Sequence, residues 1–249
     1  MANNLVLNLL VFDDKRREGT LQADMILHGM TLGFKAFEIR REYFEDMTKE
    51  IPMIKKLVDE FSLDLFYSVP DEVFVDGKIN PKLKDYLIEA DQLGVKHIKW
   101  NIGDFAHFSG DINELKGLTQ EGIAISVEND QTQTSGRIEP IDVFMGKVKE
   151  NKISIGYVYD LGNWRFVGED EHRAAELLNK YVTYIHVKDV KTIQGKPTAA
   201  GLGKGEIQWQ KVLDILPRDV PIAIEYPTVS DEEILDAKEL LEKEIEKNG

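Results

Sequence analysis

Short runs of apolar and β-branched residues recur along the chain at a nearly constant interval, and each is followed by a stretch with helical periodicity. They predict strands at Leu5–Val11, Phe34–Arg40, Leu63–Val69, Val95–Ile102, Ile123–Glu128, Ile153–Asp160, Val182–Lys188 and Ile222–Tyr226. Successive starts lie 29, 29, 32, 28, 30, 29 and 40 residues apart, so eight strand–helix units fit the 249 residues. Between strands, Leu83, Tyr86, Leu87 and Ala90 line one face of a helix that Asn80 and Pro81 can start. Ser230 and Glu233 form a capping pair for the last helix. Gly110–Glu121 is short and carries Gly117, which predicts a stunted fourth helix.

Strict alternation of strand and helix implies a parallel sheet, and eight units of about 30 residues imply one (β/α)8 TIM-barrel domain over residues 1–249. An open doubly wound sheet is the alternative. It is disfavoured because Phe12-Asp13-Asp14-Lys15 stands after the first strand, where a dinucleotide-binding Gly-x-Gly-x-x-Gly would be expected. No linker-like composition divides the chain.

Composition narrows the chemistry. There is no cysteine, so thiolate metal sites, disulfides and cysteine nucleophiles are excluded, and a reducing cytoplasmic location is expected. Lys and Arg number 31 against 45 Asp and Glu, a net charge of −14 that argues against a nucleic-acid partner. The N-terminal apolar stretch Leu5–Phe12 is interrupted by Asn8 and too short to span a bilayer, so no membrane partner is expected.

Side chains alternate along a strand, one set meeting the helices and the other filling the barrel lumen. With Ile125, Val127, Ile155, Tyr157, Tyr159, Ile185, Val187, Ile222 and Ile224 packed outward, the inward set includes Ser126, Glu128, Val158, Asp160, Val182, Tyr184, His186, Lys188, Ala223 and Glu225. Thr183 falls in the outward set. Asn8, Glu38, Ser68, His97, Lys99 and Asn101 share the inward phase on the earlier strands. Four consecutive strands thus carry Glu128, Asp160, His186 and Glu225 at the C-terminal end of the barrel, where this fold keeps its active sites. Three carboxylates buried together need a compensating cation or protonation. Three oxygen ligands with one imidazole suit a divalent metal such as Mn²⁺, Mg²⁺, Co²⁺ or Zn²⁺.

The segments Ser126-Val127-Glu128-Asn129, Tyr159-Asp160-Leu161-Gly162-Asn163-Trp164, Ile185-His186-Val187-Lys188-Asp189, Gly201–Trp209 and Ile224-Glu225-Tyr226 follow one another in an order that resembles the xylose-isomerase-like TIM barrels, a group of sugar and sugar-phosphate isomerases and epimerases. The resemblance covers mainly Ile123 to Pro227. It implies that Glu128, Asp160, His186 and Glu225 are the metal ligands and that Glu128 and Glu225 also move protons. Many relatives carry a histidine three residues after the metal-binding aspartate, whereas this chain has Asn163. That departure implies a single metal, with Asn163 left to hydrogen bond the substrate, and argues against the multi-zinc apurinic endonuclease branch.

Such a site predicts isomerisation or epimerisation beside a carbonyl, with the metal stabilising an enediolate while Glu128 and Glu225 remove and return the proton from opposite sides. Two alternatives remain: dehydration of an inosose-type keto-polyol at the same site, and a non-catalytic barrel that binds a sugar or a partner protein. Lys188, Lys99 and Asn101 are candidate substrate contacts, Trp164 could stack on a sugar ring, and Asp189 could orient a ligand from behind. His97, deeper in its strand, reads as a core histidine. The loop Val190–Gly205 carries four glycines and could close over a ligand. Tyr43 and Phe44, read as exposed, could line a homo-oligomer interface or roof the substrate.

Overall fold

The computed structural model describes residues 5–119 and 122–247. Eight parallel strands close into a ring: β1 (Leu5–Asn8), β2 (Ala36–Arg40), β3 (Asp64–Val75), β5 (His97–Gly103), β6 (Ala124–Glu128), β7 (Ile155–Asp160), β8 (Val182–Val187) and β11 (Ile222–Ile224). Each pairs with its neighbours in chain order, and β1 pairs with β11 to complete the barrel. Closure leaves no free sheet edge and forces the alternate side chains of every strand to choose between lumen and helical layer.

The helical layer is supplied by α1 (Asp13–Arg17), α2 (Gln22–Thr31), α3 (Met47–Phe61), α4 (Leu83–Leu93), α5 (Ile138–Glu150), α6 (Asn163–Val167), α7 (Glu171–Leu178), α8 (Trp209–Leu213) and α9 (Asp231–Lys247). As expected, the fourth unit has no α-helix but a 3-10 turn at Ile112–Leu118, while Gln120 and Glu121 lie outside the described residues. Ser230 Oγ accepts from Glu233 N at 3.4 Å, and Glu233 returns its carboxylate to Val229 N rather than to Ser230. No helix among the described residues is long and apolar enough to cross a membrane.

The outward-facing strand residues and the helices form one large apolar layer, in which Trp100, Tyr157, Tyr159 and Trp164 are among the largest buried side chains. Gly29 of α2 is needed for this packing: a Cβ there would lie 2.5 Å from the Phe37 ring and 2.9 Å from Leu7 Cδ2. Gly29→Ala is therefore expected to destabilise the fold by about 1–3 kcal/mol, read as a lowered urea midpoint at unchanged m-value.

The lower lumen is plugged by a separate cluster of Val6, Ala36, Phe66, Val158, Tyr184 and Ala223. His97 packs against the Phe66 and Tyr184 rings at 5.4 and 5.2 Å and contacts Ser126 Oγ at 2.8 Å. Burial pushes its imidazole down to about 4, so it sits in this floor as a neutral core residue, as its depth in the strand implied. The polar layer lies above this floor, and the cavity that reaches it is lined by residues at and beyond the C-terminal ends of the strands.

Four local departures from the predicted pattern have physical causes. The register of β7 against β8 shifts so that Val182 faces Tyr157 and Tyr184 faces Val158, leaving Thr183 without a partner. The phase reverses there: Val182 joins the outer layer and Thr183 Oγ1 reaches Ser126 Oγ at 3.2 Å, which corrects the assignment of that one pair. Strand β3 continues past an irregularity at Pro70 into a hairpin with β4 (Lys78–Ile79), turned by Asp76 and Gly77, both at positive φ. Most of the predicted glycine loop is also a hairpin, β9 (Asp189–Ile193) with β10 (Lys196–Ala200), turned by Gln194 and Gly195 at positive φ. Finally, Tyr43 is buried, its hydroxyl donating to Asp13 at 2.9 Å, and Phe44 packs against the core, so neither is an exposed aromatic.

Candidate active site

The ends of β6, β7 and β8, with Glu225 just beyond β11, bring Glu128, Asp160, His186 and Glu225 together at the upper lumen. One donor atom from each lies within 4.8 Å of the others, and all four residues are buried. The phase argument places them here because each is the last or nearly last inward position of its strand.

Each of the four is held by one atom and offers another. Glu128 Oε2 is paired with Lys99, leaving Oε1 without a hydrogen bond. Asp160 Oδ1 accepts from the N–H groups of Gly162 and Asn163 at 2.9 and 3.1 Å, and its Oδ2 faces the centre, where the Lys188 ammonium lies 2.6 Å away. Glu225 Oε1 accepts from Asn8 at 3.2 Å and from Arg40 at 3.0 Å, while Oε2 turns to the centre. His186 Nε2 meets Glu38 Oε2 at 3.0 Å, which leaves Nδ1 facing Glu128 Oε1 at 2.9 Å and Glu225 Oε2 at 3.1 Å, neither contact with hydrogen-bond geometry.

Buried polar atoms without a hydrogen bond are costly, and two of them, Glu128 Oε1 and His186 Nδ1, converging with Asp160 Oδ2 and Glu225 Oε2 make the donor set a divalent cation takes. Nitrogen and hard oxygen donors fit the metals named from the sequence. The residues present therefore could hold such an ion, with His186 contributing Nδ1 and Glu38 backing it from the far side of the ring.

The electrostatics follow from this crowding. Burial alone would lower the His186 imidazole, but Glu38, Glu225 and Glu128 outweigh it and hold it well above the ordinary histidine range. Burial raises Asp160 to about 7 against the opposing pull of Lys188. Glu225 goes the other way: despite burial, His186, Lys188 and Lys99 hold it well below the usual carboxylate range.

Above the cluster lies a cavity of about 290 Å³, lined among others by Arg40, Lys99, Asn101, Asn163, Lys188 and Glu225. Lys99 contacts Glu128 and approaches Glu38 Oε1 at 3.8 Å, while Lys188 lies 2.6 Å from Asp160 Oδ2 and 3.4 Å from Glu225 Oε2. Asn163 lines the cavity with both polar atoms engaged: Nδ2 donates to Asn129 O at 2.8 Å, and Oδ1 accepts from Gln131 at 3.1 Å. A larger groove of about 1070 Å³ is lined by residues of α3 and α4, on the outer layer and away from the lumen.

Two expectations are corrected. Trp164 is fully buried against Tyr159, with ring centroids 5.6 Å apart, and presents no face to a sugar, because the first turn of α6 directs it into the apolar layer. Asp189 does not back a ligand; its carboxylate accepts from the N–H groups of Val190, Gly205 and Ile207 and so ties down the segment after the hairpin. Orienting contacts come instead from Glu38 behind His186 and from Asn129, whose Oδ1 accepts from Asp160 N and Tyr157 OH. Arg40 was also missed. It shares the inward parity of Glu38 on the same strand, so the alternation rule could have found it.

Residues 30–247 match the family model described as xylose isomerase-like TIM barrel. No curated protein matches by sequence. Among solved structures, the chain is similar to the probable 3-DHS dehydratase AsbF of Bacillus anthracis, with a TM-score of 0.71 at 14% identity over 96% of this chain and 98% of that one. It is similar to the D-psicose 3-epimerase of Clostridium cellulolyticum H10, with a TM-score of 0.68 at 12% identity over 97% and 99%. The IOLI protein with a bound zinc atom gives 0.66 at 15% identity over 97% of both chains. At these identities the likeness is one of fold.

Proposed function

We propose that this chain, which belongs to the xylose isomerase-like TIM barrel family, is a divalent-metal-dependent isomerase or epimerase of a sugar or sugar phosphate, with Glu128 and Glu225 as its acid–base pair. The supporting observation is the donor arrangement: four buried residues, each fixed by one atom, with their remaining donors converging in the lumen. When bound there, Mn²⁺, Mg²⁺, Co²⁺ or Zn²⁺ supplies Lewis acidity for the negative charge that develops beside a carbonyl losing its α-proton.

The rest falls to the chain. Glu128 and Glu225 approach the centre from β6 and from the end of β11, flanking His186 at 2.9 and 3.1 Å from Nδ1. A substrate carbon lying between them has one carboxylate on each side, one to take the proton and one to return it. Lys99 on Glu128, and Arg40 with Asn8 on Glu225, fix these carboxylates in place. The cavity above accepts a monomeric ligand, with Lys188, Asn101 and Asn163 on its wall.

The test is incubation of the Mn²⁺-loaded protein in D₂O with a panel of ketoses, aldoses and inososes. Deuterium uptake next to the carbonyl with retained composition supports isomerisation or epimerisation. Uptake with loss of water marks the dehydratase alternative. No exchange with any member, together with no retained metal, leaves the non-catalytic barrel.

Cation binding should also be linked to protons. The imidazole of His186, held protonated by its three carboxylates, must give up its proton to bind through Nδ1, and Asp160 at about 7 must likewise be ionised. Apparent Mn²⁺ affinity is therefore expected to rise from about pH 6 to about pH 8 with proton release, measured by calorimetry in buffers of different ionisation enthalpy. An affinity that stays flat across that range contradicts this linkage.

A further inference from the structure

Lys188 stands apart from Lys99 and Arg40. Lys99 grips Glu128 by Oε2 and Arg40 grips Glu225 by Oε1, in each case the oxygen turned away from the centre. Lys188 contacts Asp160 Oδ2 and Glu225 Oε2, the two oxygens that face the centre. Its ammonium and a divalent cation would thus compete for the same two atoms.

The route of the side chain is built into the fold. Gly162 has helical φ and ψ, so alanine would be tolerated by the backbone, yet a Cβ there would lie 2.5 Å from Lys188 Cγ and 3.1 Å from Cδ and Cε. The missing side chain at Gly162 is the slot in which the lysine stem lies. Lys188 also lines the mouth cavity, so its head can leave the carboxylates without leaving the site.

We propose that Lys188 is an exchangeable counter-ion: it neutralises Asp160 and Glu225 in the metal-free protein and, once a divalent cation takes those oxygens, turns to an anionic group of the substrate, a carboxylate or a phosphate. This rests on the cation site proposed above and adds an order of binding, metal before substrate, and a substrate class. A displaced ammonium in a buried site needs a new acceptor, since an unpaired buried charge is strongly unfavourable. Glu128 Oε2 and Glu225 Oε1 are already occupied, and Asp130, the remaining carboxylate on the mouth, is turned onto Thr132 N and Oγ1. No carboxylate oxygen of the chain on the mouth is left free for the ammonium, so the anionic acceptor is one that the ligand brings.

The experiment titrates Mn²⁺ into metal-free wild type, Lys188→Met and Lys188→Gln, followed by calorimetry. Both variants are expected to bind Mn²⁺ about tenfold more tightly, because a competing cation is removed. Should the methionine variant fail to fold, the glutamine variant carries the comparison. Equal or weaker affinity in the variants overturns the proposal, whereas no Mn²⁺ binding by any of the three overturns the underlying metal site. The second arm titrates inorganic phosphate and acetate into the Mn²⁺-loaded proteins. At least one is expected to bind wild type about tenfold more tightly than either variant. Preference for phosphate marks a phosphorylated substrate, preference for acetate a sugar acid, and equal affinity in wild type and variants overturns the substrate assignment.

Discussion

Glu128→Gln and Glu225→Gln are each expected to lower turnover, and deuterium incorporation from solvent, by about two to four orders of magnitude, the range over which a positioned general acid or base acts. Glutamine keeps the shape and one ligating oxygen but cannot accept a proton from carbon. The stability change should be smaller than the kinetic one, because the retained amide still offers an acceptor to Lys99 at position 128, or to Arg40 and Asn8 at position 225. Metal content measured on the same samples separates the two functions of each residue. A variant that holds Mn²⁺ and has lost exchange has lost a base, whereas one that has lost both has lost a ligand. Exchange at the wild-type rate in either variant would remove that glutamate from the proton path.

The features that could be read in the sequence are those set by local periodicity. All eight barrel strands begin within two residues of the starts of the apolar runs, because in a closed parallel barrel every strand must bury one face against helices and its other face in the lumen. The same alternation brought Glu128, Asp160, His186 and Glu225 to one layer, where the structure places them. Errors arose where alternation breaks or where a contact depends on a neighbouring strand. The unpaired Thr183 reverses the phase of β8 for one pair, and no residue type in Val182-Thr183 announces it. Asp76-Gly77 is a strong hairpin signal within a run that otherwise reads as loop, and Gln194-Gly195 is a weaker one hidden in a glycine-rich stretch. Trp164 and Asp189 stand next to site residues in sequence, yet a helical first turn rotates one into the apolar layer and three backbone N–H groups capture the other. Glu38 lies 148 residues from His186, a separation across which only the closed ring of strands can establish a contact.

That contact carries the second large effect. Glu38→Gln is expected to weaken Mn²⁺ binding about 10- to 100-fold, the usual range for an outer partner of a ligating histidine. The Glu38 carboxylate is buried and fixed by Asn8 Nδ2 at 2.6 Å, and its Oε2 lies 3.0 Å from His186 Nε2. As an acceptor it keeps the proton on Nε2, so that Nδ1 presents its lone pair to the centre, and its charge makes the imidazole a better donor. Glutamine removes the charge and can donate to Nε2, which would favour the wrong tautomer. The predicted change is opposite in sign to that for Lys188→Met, although both variants neutralise one buried charge in the same layer. General loosening of the lumen would weaken binding in both variants. Tighter binding in one and weaker binding in the other requires that each side chain act on the cation through its own charge. If Glu38→Gln bound Mn²⁺ as tightly as wild type, the tautomer of His186 would be set by something other than Glu38, and the contact would be one of packing alone.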